Sequence, residues 1–187
     1  MWYTLTSIFP YVIAYTIPLL VTSLGGLYSE RSGVVNLGLE GLMLVGSFAA
    51  AITIHLLEGL IPSGLLVPVG LLAAVIMGIL YSLLHAFASI TLKADQIISG
   101  TAINMLAAAL TVYTARAILG SGNVRVNSII RKDIPGLANI PVLGPLFFSQ
   151  SYWSTWLVLA ILVFSWFLLY KTSFGLRLCA RGEHSSA

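Results

Sequence analysis

In 187 residues this chain is 58% hydrophobic and only 8% charged, with a mean hydropathy of +0.98 and a net charge of +3. A soluble domain carries about 25% charged residues, so a water-exposed globule is excluded; the solvent is a bilayer, and helices are the elements that satisfy their own backbone in it. The basic excess reads as loop bias rather than a nucleic-acid footprint, and the single Cys179 excludes an intrachain disulfide and any multi-cysteine metal site.

The first apolar run, Ile8–Leu27, is long enough to span and contains Pro10 and Pro18. No Lys or Arg precedes Arg31, so the basic start of a signal peptide is missing. The first positive charge follows the run, which predicts an outer N-terminus with Trp2, Tyr3 and Tyr11 in the outer aromatic belt. Ser29–Gly33 is predicted as a short inner turn. A second helix is predicted from about Val34 to Leu56, with Asn36 and Glu40 inside it. Ser29, Gly33, Asn36, Glu40, Met43 and Ser47 recur at alternating steps of four and three, which places them on one helical face. A carboxylate inside an apolar helix costs roughly a few kcal/mol, so Glu40 should face protein or a water-filled path. Two readings stay open: Glu40 packs helices together, or it lines a solute path. Gly38, Gly41 and Gly46 permit close helix approach or a break, and broken helices form solute sites in transporters.

Residues 58–64 read as a short outer loop. Helix 3 is predicted from about Leu65 to Leu92, long enough to tilt or protrude. His85, near its inner end, reads as a packing residue. Lys93–Gln96 makes the next inner turn, with Asp95 as N-cap of a helix over Gln96–Leu119. Gln96, Gly100, Asn104 and Thr111 share a face of that helix, and Ala107–Ala109 suits tight packing. That face is either a second polar wall opposite Asn36 and Glu40 or a set of interhelical hydrogen bonds. Residues 120–151 form the longest connection. Arg125, Arg131, Lys132 and Asp133, followed by three prolines, predict a folded outer cap carrying a short surface helix. Helix 5 is predicted over Tyr152–Tyr170, and residues 171–187 form a basic inner tail. The fold class is therefore an all-α, polytopic transmembrane bundle of about five spanning helices, N-out and C-in. No glycine-rich phosphate loop is present, and the three histidines are scattered away from any carboxylate pair. No catalytic group, metal site or cofactor is expected.

Three motifs then carry a family resemblance over essentially the whole chain. Ser29-Glu-Arg-Ser-Gly-Val-Val-Asn-Leu-Gly-Leu-Glu-Gly41 is the most specific; the others are Ala94-Asp-Gln-Ile-Ile-Ser-Gly-Thr-Ala-Ile-Asn104 and Thr172-Ser-Phe-Gly-Leu-Arg-Leu178 with Arg181-Gly-Glu-His184. The chain resembles the permease subunit of bacterial ABC importers for nucleosides and simple sugars, in the ribose and branched-chain amino acid permease superfamily. Ile134-Pro-Gly-Leu-Ala-Asn-Ile-Pro-Val-Leu-Gly144 resembles the nucleoside-type branch.

The resemblance implies one permease domain over residues 1–187 in the cytoplasmic membrane, with an extracytoplasmic loop at 120–151. It implies that 171–187 couples to a separate ATPase, through Gly175, Arg177, Arg181, Gly182 and Glu183. Cys179 stands where the family has an arginine, Arg181 where it has a small or apolar residue, and Ser185 where it has a proline. Family members continue with further helices, so the chain is expected to be a truncated portion. The implied partners are a second permease subunit, the cytoplasmic ATPase, an extracytoplasmic substrate-binding lipoprotein and membrane lipid, with no nucleic acid. Asn36, Gln96 and Asn104 would offer hydrogen bonds to a nucleoside, with Glu40 accepting from ribose hydroxyls. A branched-chain amino acid permease and an ATP-independent transporter or channel are the alternatives; a membrane enzyme is disfavoured.

Overall fold

The computed structural model describes residues 2–126, 131, 133–134, 136–138 and 140–183. Lys132, His184 and Ser185, singled out above, lie outside the described residues. Among the described residues, six α-helices follow one another: α1 (Trp2–Arg31), α2 (Leu39–Leu57), α3 (Ser63–Ala86), α4 (Gln96–Leu119), α5 (Trp153–Lys171) and α6 (Ser173–Glu183). No β-strand occurs among the described residues. Among the described residues, five helices are long and apolar enough to cross a membrane: α1, α2, α3 with its π-helical extension, α4 and α5. Their large side chains stand exposed, Leu72 at 62%, Met105 at 76% and Val163 at 62%. In water that surface would be unsustainable; in a bilayer an apolar helix surface is tolerated.

Contacts group the chain into two compact units, Met1–Gly33 with Ile130–Ala187, and Val34–Ile129. In the Val34–Ile129 unit, α2 packs on both α3 and α4. Val45, Tyr81, Ile103 and Ala107 form its buried centre. Gly70 makes the α2–α3 contact possible, because a Cβ there would lie 2.7 Å from the Ile54 side chain. The Tyr81 hydroxyl donates to the Ile103 carbonyl at 2.8 Å, tying α3 to α4. His85 is buried; its Nδ1 shares a 3.0 Å hydrogen bond with Ser99, while its Nε2 is buried without a hydrogen-bond partner.

α4 occupies the predicted range. The Asp95 carboxylate accepts from the Ile97 and Ile98 amides at 2.8 and 3.1 Å, satisfying two amides of the first turn. Gly120 closes the helix with a left-handed φ of +69°. α3 does not run on as regular helix to Leu92; its last turn widens into a π-helical turn at Phe87–Thr91.

In the other unit, α1 packs against α5 and α6. It continues through Arg31, so the turn predicted at Ser29 begins later, at Ser32. Between residues 131 and 152 the chain folds back on itself. Ile134 and Phe148 pair through the backbone, and the Asp133 carboxylate accepts from the Gln150 amide at 2.7 Å. The only helix-like piece there, among the described residues, is a π-helical turn at Gly144–Phe148. Arg131 fixes this fold: its guanidinium lies 4.1 Å from the Tyr11 ring centre and 5.0 Å from that of Tyr152. Hydrogen bonding to Tyr152 pushes its pKa further up, so Arg131 is a permanent cation.

Candidate functional site

The expected single helical face from Ser29 to Ser47 does not form. The chain leaves α1 at Arg31, is not helical through residues 34–38, and starts α2 only at Leu39, with the Gly38 carbonyl accepting the first helical bond from the Leu42 amide. Asn36 lies in the unwound stretch and Glu40 in the first turn of α2, so they do not share a helix. The reason lies in how this start is held. Gly38, at the N-cap, brings no capping side chain. Its own amide donates to Asn36 Oδ1 at 2.9 Å, folding the stretch on itself.

The remaining support comes from α4. Asn104 Oδ1 accepts from the Gly41 amide at 2.7 Å, and Asn104 Nδ2 donates to the Leu37 carbonyl at 2.8 Å. Gln96 Oε1 accepts from the Val35 amide at 3.1 Å. Two side chains thus satisfy three backbone groups of this stretch, the Val35 and Gly41 amides and the Leu37 carbonyl. An unpaired amide in hydrocarbon is costly, which is why an unwound stretch persists only where protein satisfies it.

Glycines bring the backbones close enough. A Cβ on Gly100 would lie 3.0 Å from the Gly38 nitrogen, and one on Gly41 would lie 2.9 Å from Asn104 Oδ1. Gly46 has no such contact, its nearest neighbour being 3.7 Å away. Thr111 does not join the brace; its hydroxyl donates to the Ala107 carbonyl one turn back at 2.8 Å.

Of the four candidate path residues, Gln96 and Asn104 therefore grip backbone. Each keeps little to offer a solute: Gln96 retains its NH2 group, Asn104 a single N–H. Asn36 is half-buried with its oxygen engaged. Glu40 is exposed at the start of α2, in the place where a helix favours negative charge.

The coupling candidates divide along α6. Gly175 is buried against α5, where a Cβ would collide with the Leu169 carbonyl. Gly182 lies against the end of α1. Arg177, Arg181 and Glu183 are exposed, and Arg177 and Arg181 stand one turn apart on one face with Phe174. No cluster of three or more potential metal ligands occurs among the described residues.

Comparison with known proteins agrees with this architecture. Residues 8–187 match the family described as branched-chain amino acid transport system / permease component. The guanosine ABC transporter permease protein NupQ of Bacillus subtilis is 45% identical over 98% of this chain and 58% of its own length. The nucleoside ABC transporter permease protein NupC of Lactococcus lactis is 39% identical over the same shares. The putative glucose ABC transporter permease protein TsgC13 of Haloferax volcanii is 33% identical over 88% of this chain and 48% of its own. The chain spans a little over half the length, 58%, of the first two relatives. No solved structure matches. With five apolar helices and a match reaching from the first of them to the last residue, the chain is a multi-pass membrane protein and belongs to the branched-chain amino acid transport system permease family.

Proposed function

We propose that the protein is the translocation subunit of an ATP-driven importer that brings nucleosides across the cytoplasmic membrane. The observation that carries this reading is the 45% and 39% identity to a guanosine and a nucleoside permease across nearly all of this chain. The permease itself performs no bond-making step; a cytoplasmic ATPase supplies the free energy and a binding lipoprotein delivers the solute outside. A second permease subunit completes the path. The N-terminus lies outside, residues 120–151 cap the outer face, and residues 171–187 meet the ATPase.

The braced break gives this reading a chemical basis. Asn36 and Glu40 are held at an interruption in the helix by Gln96 and Asn104, which serve as supports. A nucleoside is uncharged and rich in hydroxyl donors. Glu40 accepts from them, and the orphan amides at the start of α2 offer donors. An amino-acid solute is the second reading, favoured by one observation: a carboxylate at a helix N-terminus can pair an ammonium group beside donors suited to a carboxylate.

Uptake of labelled guanosine by cells carrying the full-length transporter tests both. Glu40→Gln is expected to lower uptake about tenfold, the equivalent of ~1.4 kcal/mol, with membrane insertion unchanged. Excess adenosine should compete and excess leucine should not. Undiminished uptake removes Glu40 from the path, and competition by leucine alone turns the assignment to amino acids.

A further inference from the structure

We infer that the turn ending α1 and the last turn of α6 form a latch through which motion of α6 reaches the braced stretch. The inference rests on the proposed role of α6 as the ATPase-facing segment. Arg31, Gly33 and Tyr170 are its positioning residues; none of them is a candidate for touching solute.

The contact is backbone on backbone. A Cβ on Gly33 would sit 3.1 Å from the Gly182 Cα, and one on Gly182 would sit 2.5 Å from the Arg31 carbonyl oxygen and 3.1 Å from the Gly33 nitrogen. No side chain cushions the two segments, so neither moves toward the other without displacing it. Gly33 also holds a φ of +79°, a left-handed conformation that lets the chain turn away from α1 at this point.

Arg31 reinforces the contact from the side. Its guanidinium donates to the Tyr170 hydroxyl at 3.3 Å and lies 5.8 Å from that ring's centre. A second nitrogen comes within 4.0 Å of Cys179 Sγ. One residue of α5 and one of α6 therefore meet the last residue of α1.

Elsewhere α6 is loosely seated. A hollow of about 210 Å³ lies beneath it, lined by Arg31, Leu169, Tyr170, Gly175, Leu176 and Cys179. Gly175 presses on the Leu169 carbonyl at one end and Gly182 on the α1 turn at the other. A helix touching at both ends with space between can rock. Its exposed face, with Phe174, Arg177 and Arg181, is where a push would arrive.

The chain then runs from Gly33 into Val34, and the next amide, Val35, is the one held by Gln96. Latch and brace are thus neighbours in sequence. The signature Ser29-Glu-Arg-Ser-Gly33 acquires a mechanical reason: Arg31 to grip and Gly33 to turn and be touched.

The test uses the full-length transporter with its ATPase and binding lipoprotein in nanodiscs. Gly33→Asn is the diagnostic variant. Asparagine tolerates a left-handed backbone but adds a Cβ against Gly182. ATPase co-purification and basal ATP hydrolysis should stay within twofold of wild type. Stimulation of hydrolysis by guanosine-loaded binding protein should fall at least fivefold.

Gly59→Asn is the matched control. Gly59 has a φ of +85° with nothing within 4 Å, and its variant should stimulate normally. Wild-type stimulation in Gly33→Asn overturns the latch. So does loss of ATPase co-purification in a correctly inserted Gly33→Asn, which would make the contact part of docking. If that variant does not insert, Arg31→Gln decides on the same readouts. The underlying reading fails separately: undiminished ATPase recovery with Glu183→Arg would remove α6 from docking, whatever Gly33→Asn does.

Discussion

Two helices of one compact unit begin in opposite ways. α4 starts with its own N-cap, Asp95, whose carboxylate accepts two first-turn amides. α2 starts with a glycine and borrows its acceptor, Asn104, from α4. The first start is local and would survive in isolation; the second exists only while α4 is in place. A helix that caps itself is a fixed post. A helix capped by its neighbour is a part whose position depends on that neighbour, which suits a segment proposed to line a path.

Asn104→Leu should break this contrast most. It keeps the size but strands the Gly41 amide and the Leu37 carbonyl, at a cost of about 2 kcal/mol. Denaturant unfolding in mixed micelles measures the loss, and hydrogen exchange at Gly41 should rise while exchange at Ile97 and Ile98 stays slow. Gly100→Ala comes next. Its Cβ meets the Gly38 nitrogen and Leu37 Cβ, both at 3.0 Å, and such crowding costs about 1.5 kcal/mol. Asp95→Ala should cost about 1 kcal/mol, with faster exchange confined to the first turn of α4. Gln96→Leu is the mildest, about 0.6 kcal/mol for one hydrogen bond between membrane segments, and should loosen only Val35. If Asp95→Ala disturbed Gly41 as strongly as Asn104→Leu does, the two starts would not be independent.

What could be read beforehand follows the same division. The five apolar spans were legible because composition and length suffice to find them. α4 was legible to the residue because Asp95 signals its start locally. The start of α2 was not. Asn36, Glu40 and their neighbours keep helical spacing whether or not a helix forms, so spacing alone predicts a helix there. What breaks the helix is pairing with Gln96 and Asn104, 61 to 67 positions away. The glycines allowed a break but did not say where. Likewise, nothing in the spacing of Gly33 and Gly182 announces that their backbones meet. The polar face on α4 allows two readings from its spacing, a polar wall opposite Asn36 and Glu40 or a set of interhelical hydrogen bonds, and spacing does not choose between them; in the fold Gln96 and Asn104 bond to the main chain of Val35, Leu37 and Gly41.

α1 carries Pro10 and Pro18 within its thirty residues, from Trp2 to Arg31. Each removes one rung from the helical ladder, because proline has no amide hydrogen to donate. A rod with two rungs missing flexes at those places more easily than elsewhere. Strain introduced near Arg31 would then be absorbed as curvature along the shaft instead of shifting its far end. The first span would behave as a leaf spring, storing a displacement and returning it once the load is gone.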